Sequence, residues 1–364
     1  MLISAELTYL EGALLPNFVL ETDGKQVTAL RPLKPGEKAD RHLRVLAPGL
    51  SDLQVNGGGG VLLNTSPTPE GLRQIRAAHL ALGTAAVMPT LITDTPEVME
   101  AAADAVIATK GEPGLLGLHL EGPHIAPARK GTHAADHIRP LDAQTMAILE
   151  RLRAANIPVI LTLAPEVNDP ELMRKAAAMG VVLSAGHSMA TAAQARDGIQ
   201  NGVSMFTHIY NAMPQMQSRD PGIIAAAILS DCYVGMIADG IHVDWDALRV
   251  ALAARPRPDR SFLVSDAMPT VGGPDHFRLY GQDIRVQDGR LINADGNLAG
   301  AHVSLLDCVV RLHQNTGLPL GYALAMATDI PRRAIGLAPQ RIAPGLALSE
   351  ILALDHDNFA LVRL

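Results

Sequence analysis

The sequence predicts an α/β fold: a closed (β/α)8, TIM-like barrel with a small β-sandwich domain formed by both chain ends. Three observations predict it. Short apolar runs alternate with helical periods over about 280 residues. The runs number eight. Stretches of a different character, short and mixed, precede Val45 and return at the C-terminus.

Residues 1–47 contain "LISAELTYL", "NFVLETDG" and "QVTALRPL", broken by Gly, Pro and acidic turns, a pattern that suits a β meander better than helices. The closing "ILALDHDNFALVRL" has the same character. The two ends are therefore expected to pair, giving a small β domain of residues 1–47 plus 340–364 beside a barrel of residues 48–339. A first barrel strand leads into Gln54. The others are "TAAVMPT" (84–90), "GLLGLHLEG" (114–122), "IPVILTLAP" (157–165), "VVLSAGHS" (181–188), "VSMFTH" (203–208), "CYVGMIADG" (232–240) and "SFLVSDA" (261–267). Amphipathic segments lie between them, with Leu72, Ile75, His79 and Leu82 on one face of the first, and Ala-rich stretches such as "MRKAAAMG" further on. Eight such alternations favour a closed barrel over an open doubly wound sheet.

Composition bounds the function. The 364 residues accommodate one barrel of roughly 250 residues and a smaller unit. A net charge of −7 and a pI near 6.0 give no basic patch, which argues against nucleic acid as a partner. Cys232 and Cys308 are the only cysteines, and no N-terminal apolar run suggests a signal or membrane segment, so a cytoplasmic, disulfide-free protein is expected. With aromatics at 3%, the core must be aliphatic.

In a barrel of this kind chemistry collects at the C-terminal strand ends, so the polar residues that terminate apolar runs carry the most information. They are Glu121, His187, His208, His242 and Asp266. A lone strand-end His is usually a capping or packing residue; five such residues together are not. Glu121, His187 and His208 supply one carboxylate oxygen and two imidazole nitrogens, the ligand set of a catalytic zinc that keeps a position open for water. Asp266, on the eighth strand and so beside the first, is placed to act as general base. The first strand ends differently. Many metal-dependent hydrolases on βα barrels carry His-x-His there, whereas "DLQVNG" offers Gln54 and Asn56.

The motifs "HLEGP" (119–123), "KGTH" (130–133), "SAGHS" (184–188), "FTHIYNAM" (206–213), "SRDPG" (218–222), "IADGIHVD" (237–244) and "LVSDAMP" (263–269) occur in the order seen in N-acetylglucosamine-6-phosphate deacetylases of the amidohydrolase superfamily. The chain resembles that family over roughly residues 45–335. The resemblance implies hydrolysis of the acetamide of N-acetylglucosamine 6-phosphate. It implies one divalent metal per chain, zinc being the expected ion, on Glu121, His187 and His208, with Asp266 as base and acid. Gln54 and Asn56 then mark a first metal site that has been lost. It further implies that Thr132, His133 and His242 contact the amino sugar and its acetyl group. Asn211, Ala212 and Arg219 would hold the phosphate, and Leu298, Ala299 and Gly300 would line the sugar. An Arg fork with backbone N–H groups suits a dianionic phosphate.

Two departures from the family pattern, His124 after "EGP" and "AHVSLL" (301–306) after "LAG", are expected near the substrate rim. A homodimer is implied, with Arg219 acting in its own or the partner's site. The alternatives are the same reaction on N-acetylgalactosamine 6-phosphate and a catalytically silent sugar-phosphate-binding protein. A pure binder has no use for Asp266 beside a Glu-His-His set.

Overall fold

The computed structural model describes every residue except 294, 295, 297 and 357. Eight parallel strands follow one another in chain order around a single sheet: Ser51–Val55, Ala86–Ile92, Leu118–Glu121, Val159–Leu163, Val182–Ala185, Val203–Phe206, Tyr233–Met236 and Ser261–Leu263. The sheet closes where the eighth strand's extension meets the first. Val55 bridges Ala267 in parallel register, the Asp266 N–H donates to the Gln54 carbonyl (3.0 Å), and the Asn56 N–H donates to the Ala267 carbonyl (2.9 Å). The expected barrel is present, and its closing seam lies beside Gln54, Asn56 and Asp266.

Each strand returns through a helix, and for all but the sixth, whose helix Gly222–Ile228 follows Pro221, a capping side chain marks the start. Thr68, Thr95, Asp142, Asp169, Thr191, Asp244 and Ser304 each accept a backbone N–H from the first turn of their helix, satisfying a donor that has no partner within it. On the first helix, Pro69–Leu80, Leu72, Ile75 and His79 are fully buried as the periodicity predicts. His79 reaches the Gly57 carbonyl through Nε2 (2.9 Å), so this buried imidazole braces the turn after the first strand.

The two chain ends do pair. Ile351–Leu354 lies antiparallel to Arg41–Pro48 at the edge of a six-stranded sheet that continues through Leu2–Leu10, Phe18–Thr22 and Val27–Pro32. Ile342, Leu348 and Ile351 pack with Ile3, Leu20 and Leu43 in a core separate from that of the barrel. The C-terminal chain also closes the small domain from its other edge: the Val27 N–H donates to the Leu346 carbonyl and the Gly345 N–H to the Val27 carbonyl (2.9 Å each), while Ile342 and Leu348 cover the sheet.

One element escapes the alternation of strands and helices. After the eighth strand the chain makes an antiparallel three-stranded sheet, His276–Leu279, Gln282–Gln287 and Arg290–Ile292. Its core of Phe277, Leu279, Ile284 and Leu291 packs on Leu62, Ile92 and Met268 at the barrel mouth. The signal was available: alternating runs separated by Tyr280-Gly281 and Asp288-Gly289, the second a strong hairpin turn.

Candidate active site

The layer of barrel interior beneath the mouth is polar and fully paired. The His119 ring donates from Nδ1 to the Leu53 carbonyl (3.0 Å) and accepts at Nε2 from Thr162 Oγ1 (2.7 Å); hydroxyl contacts continue through Thr207 to Ser184 (2.7 and 2.6 Å). Burial holds His119 neutral, with its pKa lowered to about 4. Asp52, wholly buried, accepts the N–H groups of Gln54 and Ser265 and so ties the two strands of the seam; burial pushes its pKa up to about 7.

Above this layer the strand ends converge. His187, His208 and Asp266 all have positive φ (48°, 26° and 52°), a region that residues other than Gly enter at a cost and that clusters at functional sites. Glu121 Oε1, His187 Nε2 and His208 Nε2 form a triangle with sides of 3.2, 3.0 and 3.1 Å, its residues all buried. The Arg129 carbonyl accepts from His187 Nδ1 (2.8 Å), which leaves the Nε2 of neutral His187 as a lone pair aimed into the triangle. A carboxylate oxygen and two imidazole nitrogens converging in a buried space require a cation between them. Sides near 3.1 Å approach the edge of about 3.3 Å expected for a tetrahedral ion with bonds of about 2.0–2.1 Å. The residues present therefore fit a divalent metal. Burial would raise the Glu121 pKa, but the adjoining His187 and His208 imidazoles outweigh it and hold the carboxyl well below the usual range.

His133 lies close enough to Glu121 and His187 to be counted as a ligand instead of His208. Its hydrogen bonds argue otherwise. The Thr93 backbone N–H, which can only donate, points at His133 Nδ1 (3.3 Å), and Thr93 Oγ1 is 2.7 Å from the same atom. Neutral His133 thus carries its proton on Nε2 and presents a donor to the cavity. Burial keeps it neutral, lowering its pKa to about 3. His242 has the opposite tautomer: its Nδ1 is 2.7 Å from Asp239 Oδ2, and Asp239 Oδ1 accepts the backbone N–H groups of Ile241 and His242.

Asp266 stands across from the triangle. Asn56 Nδ2 (2.7 Å) and Gln54 Nε2 (3.1 Å) both donate to its Oδ1, and Gln54 Nε2 also donates to Glu121 Oε1 (2.9 Å). Burial and the neighbouring Glu121 charge push the Asp266 pKa up to about 6. One carboxylate oxygen is anchored and the other is left for chemistry.

These groups line a cavity of ≈ 320 Å³, within the range of small-molecule sites. Thr132, His133, Asn211, Ala212, His242, Leu298 and Gly300 line it, as expected. Ala299, between the last two, turns its side chain into the core of the three-stranded sheet instead. Arg219 is not brought to the cavity: residues 215–220 form an exposed loop, and the cation at the rim, among the described residues, is Arg129.

His124 is also not a rim residue. It is buried, donating from Nδ1 to the Arg139 carbonyl and accepting at Nε2 from Thr145, and it fastens the turn after the third strand to the following helix. His302 pairs with Thr270 and lies outside the cavity lining. Sequence reasoning passed over Thr93, Asp239 and Tyr280, which act on the site through their neighbours, and Arg129, which holds His187 and also lines the rim. Only Asp239, in "ADGIH" at the end of a strand, carried a signal.

The chain matches the amidohydrolase family over residues 45–345. It is 38% identical to the N-acetylgalactosamine-6-phosphate deacetylase of Shewanella sp. (strain ANA-3), over 79% of this chain and 73% of that protein. It is 36% identical to the N-acetylglucosamine-6-phosphate deacetylase of Homo sapiens, over 83% and 77%. Among solved structures, the N-acetylglucosamine-6-phosphate deacetylase of Pasteurella multocida superimposes with a TM-score of 0.88 at 30% identity, covering 99% of this chain and 96% of that one. A mutant of the Mycobacterium smegmatis deacetylase in complex with N-acetyl-D-glucosamine-6-phosphate gives 0.89 at 30% identity, covering 100% and 97%. A barrel closed at a Gln-Asn/Asp seam, with a Glu-His-His triangle at its mouth, is here the architecture of a chain that belongs to the amidohydrolase family.

Proposed function

We propose that this protein hydrolyses the acetamide of N-acetylglucosamine 6-phosphate to glucosamine 6-phosphate and acetate. The observation that carries the reading is the joint placement of a metal-ready triangle and a half-anchored carboxylate on one small cavity. Glu121, His187 and His208 would hold a divalent ion, zinc by the character of the ligand set. Such an ion, when bound, acidifies water and polarises a carbonyl.

The chain's own residues supply the rest. Asp266 Oδ2 takes the proton of the attacking water and returns it to the departing amine, a shuttle suited to a carboxyl whose pKa lies near 6. His133 Nε2–H donates to the acetamide oxygen as charge develops on it; one such donor is commonly worth about 3 kcal/mol. With Nδ1 held by Asp239, neutral His242 offers a lone pair at Nε2, suited to accept from a sugar hydroxyl. Asn211 and Ala212 line the phosphate end of the cavity, and Arg129 is the guanidinium on its rim.

Acetate release by purified, metal-supplemented protein tests the reading. Turnover of N-acetylglucosamine 6-phosphate is expected, and no release from any amino-sugar phosphate would leave a silent binder. The likeness to the Shewanella deacetylase favours a second reading, the galacto epimer; comparing kcat/KM for the two epimers decides it.

We assign Arg219 to the phosphate of a partner subunit's site in a cytoplasmic homodimer, because its loop is exposed and away from its own chain's cavity. Mixing Arg219→Ala chains with Asp266→Asn chains should then restore about a quarter of the sites. If Arg219 acts within its own chain, no activity returns.

A further inference from the structure

The three-stranded sheet after the eighth barrel strand has an unusual turn. Leu279 pairs with Gln282, so Tyr280 and Gly281 form a two-residue hairpin loop, with φ of +47° and +80°. Such turns favour Asn, Asp or Gly at the first position, since a bulky side chain pays for a positive φ. Tyr280 is nonetheless there. Although the residue is 39% exposed, its hydroxyl is engaged: Tyr280 Oη donates to the Thr93 carbonyl and lies near the backbone of Ala134. Burial pushes the phenol above its ordinary pKa.

Both neighbours flank His133. Thr93 is the residue whose N–H and hydroxyl meet His133 Nδ1, and Ala134 is the next residue in the chain. The fit is tight on the far side as well. A Cβ added to Gly122, at φ +83°, would stand 2.3 Å from Thr93 Oγ1, so the "HLEGP" turn leaves the Thr93 hydroxyl just enough room. Ile92, Met268 and the hairpin's own Phe277 and Leu279 share one apolar cluster, so the hairpin is seated directly beside Thr93.

We propose that Tyr280 is a positioning residue for His133: its hydroxyl clasps the Thr93 backbone beside His133 and thereby fixes the tautomer and aim of His133 Nε2–H. The use of that N–H as a donor to the substrate rests on the function proposed above; the clasp itself does not.

The test is a double-mutant cycle read by acetate release. Tyr280→Phe, which removes only the hydroxyl, should lower kcat about 10-fold, as loss of a group that orients a functional His typically does, with KM changed less than about twofold. In a His133→Ala background the same change should cost less than about twofold. Tyr280→Asn suits the turn better, so it should unfold at an equal or higher temperature while losing kcat like Tyr280→Phe. An undiminished kcat in Tyr280→Phe, or an equal loss in both backgrounds, would overturn the proposal.

A readout independent of turnover separates it from the proposed activity. In spectra of 15N-histidine-labelled protein, the ring signals of His133, assigned by their loss in His133→Ala, should shift in both Tyr280 variants. Ring signals unmoved by either variant would overturn the clasp even if the deacetylase reading stands. Shifted signals would support it even if no acetate is released.

Discussion

The first barrel strand ends in two amides, while the third, fifth and sixth lead into a carboxylate and two imidazoles, yet both groups face one buried space. At the first, Gln54 and Asn56 contribute N–H donors, three bonds of 2.7–3.1 Å that all end on carboxylate oxygens of Glu121 and Asp266. At the second, a carboxylate oxygen and two imidazole nitrogens stand within 3.2 Å of one another. Two carboxylates in a dry cavity repel, and a cation or a set of donors must lie between them. The difference teaches that at the first strand a neutral donor bridge, not a set of acceptors, meets the two carboxylates. Gln54 and Asn56 keep the Asp266 carboxyl oriented and leave one of its oxygens free.

The comparison can be broken at several points, and the largest effect is expected at Asp266. If it moves protons and does not hold the metal, Asp266→Asn should lower kcat by about 10²–10⁴ while bound metal and substrate affinity persist. Loss of metal in that variant would move Asp266 into the ligand set. A smaller effect is expected at the bridge. Gln54→Leu keeps the volume but removes the donor shared by Glu121 and Asp266, so kcat should fall about 10-fold, with one metal still bound. Gln54→Glu sharpens the test by adding a third carboxylate, and it should cost more than Gln54→Leu. A Gln54→Leu protein with wild-type kcat would mean that the bridge has no catalytic consequence.

The barrel was legible because its eight strands are apolar and its helices carry caps, signals local in sequence. Glu121, His187, His208 and Asp266 were legible because strand ends in a barrel have only one place to converge. Other features depended on contacts that no spacing encodes. His133 and His187 are both imidazoles near Glu121, and only the Thr93 N–H at one ring and the Arg129 carbonyl at the other distinguish a donor from a lone pair. Tyr280 acts across 187 positions of sequence, through a backbone carbonyl that any residue at position 93 would supply. His124 misled because its place after "EGP" suggested the rim, whereas the chain there turns the ring inward onto Thr145. Arg219 shows the limit in the other direction: the motif is in the sequence, and its loop lies outside the lining of its own chain's cavity.

The central claim is that lone pairs converge at one place and donors at the other, and metal stoichiometry tests it most directly. Elemental analysis of active protein, purified without chelator and dialysed against metal-free buffer, should give one divalent ion per chain. That ion should be lost in His208→Ala and retained in Asn56→Leu. Two tightly held ions in the wild-type chain, or loss of the single ion in Asn56→Leu with His208→Ala still loaded, would contradict it.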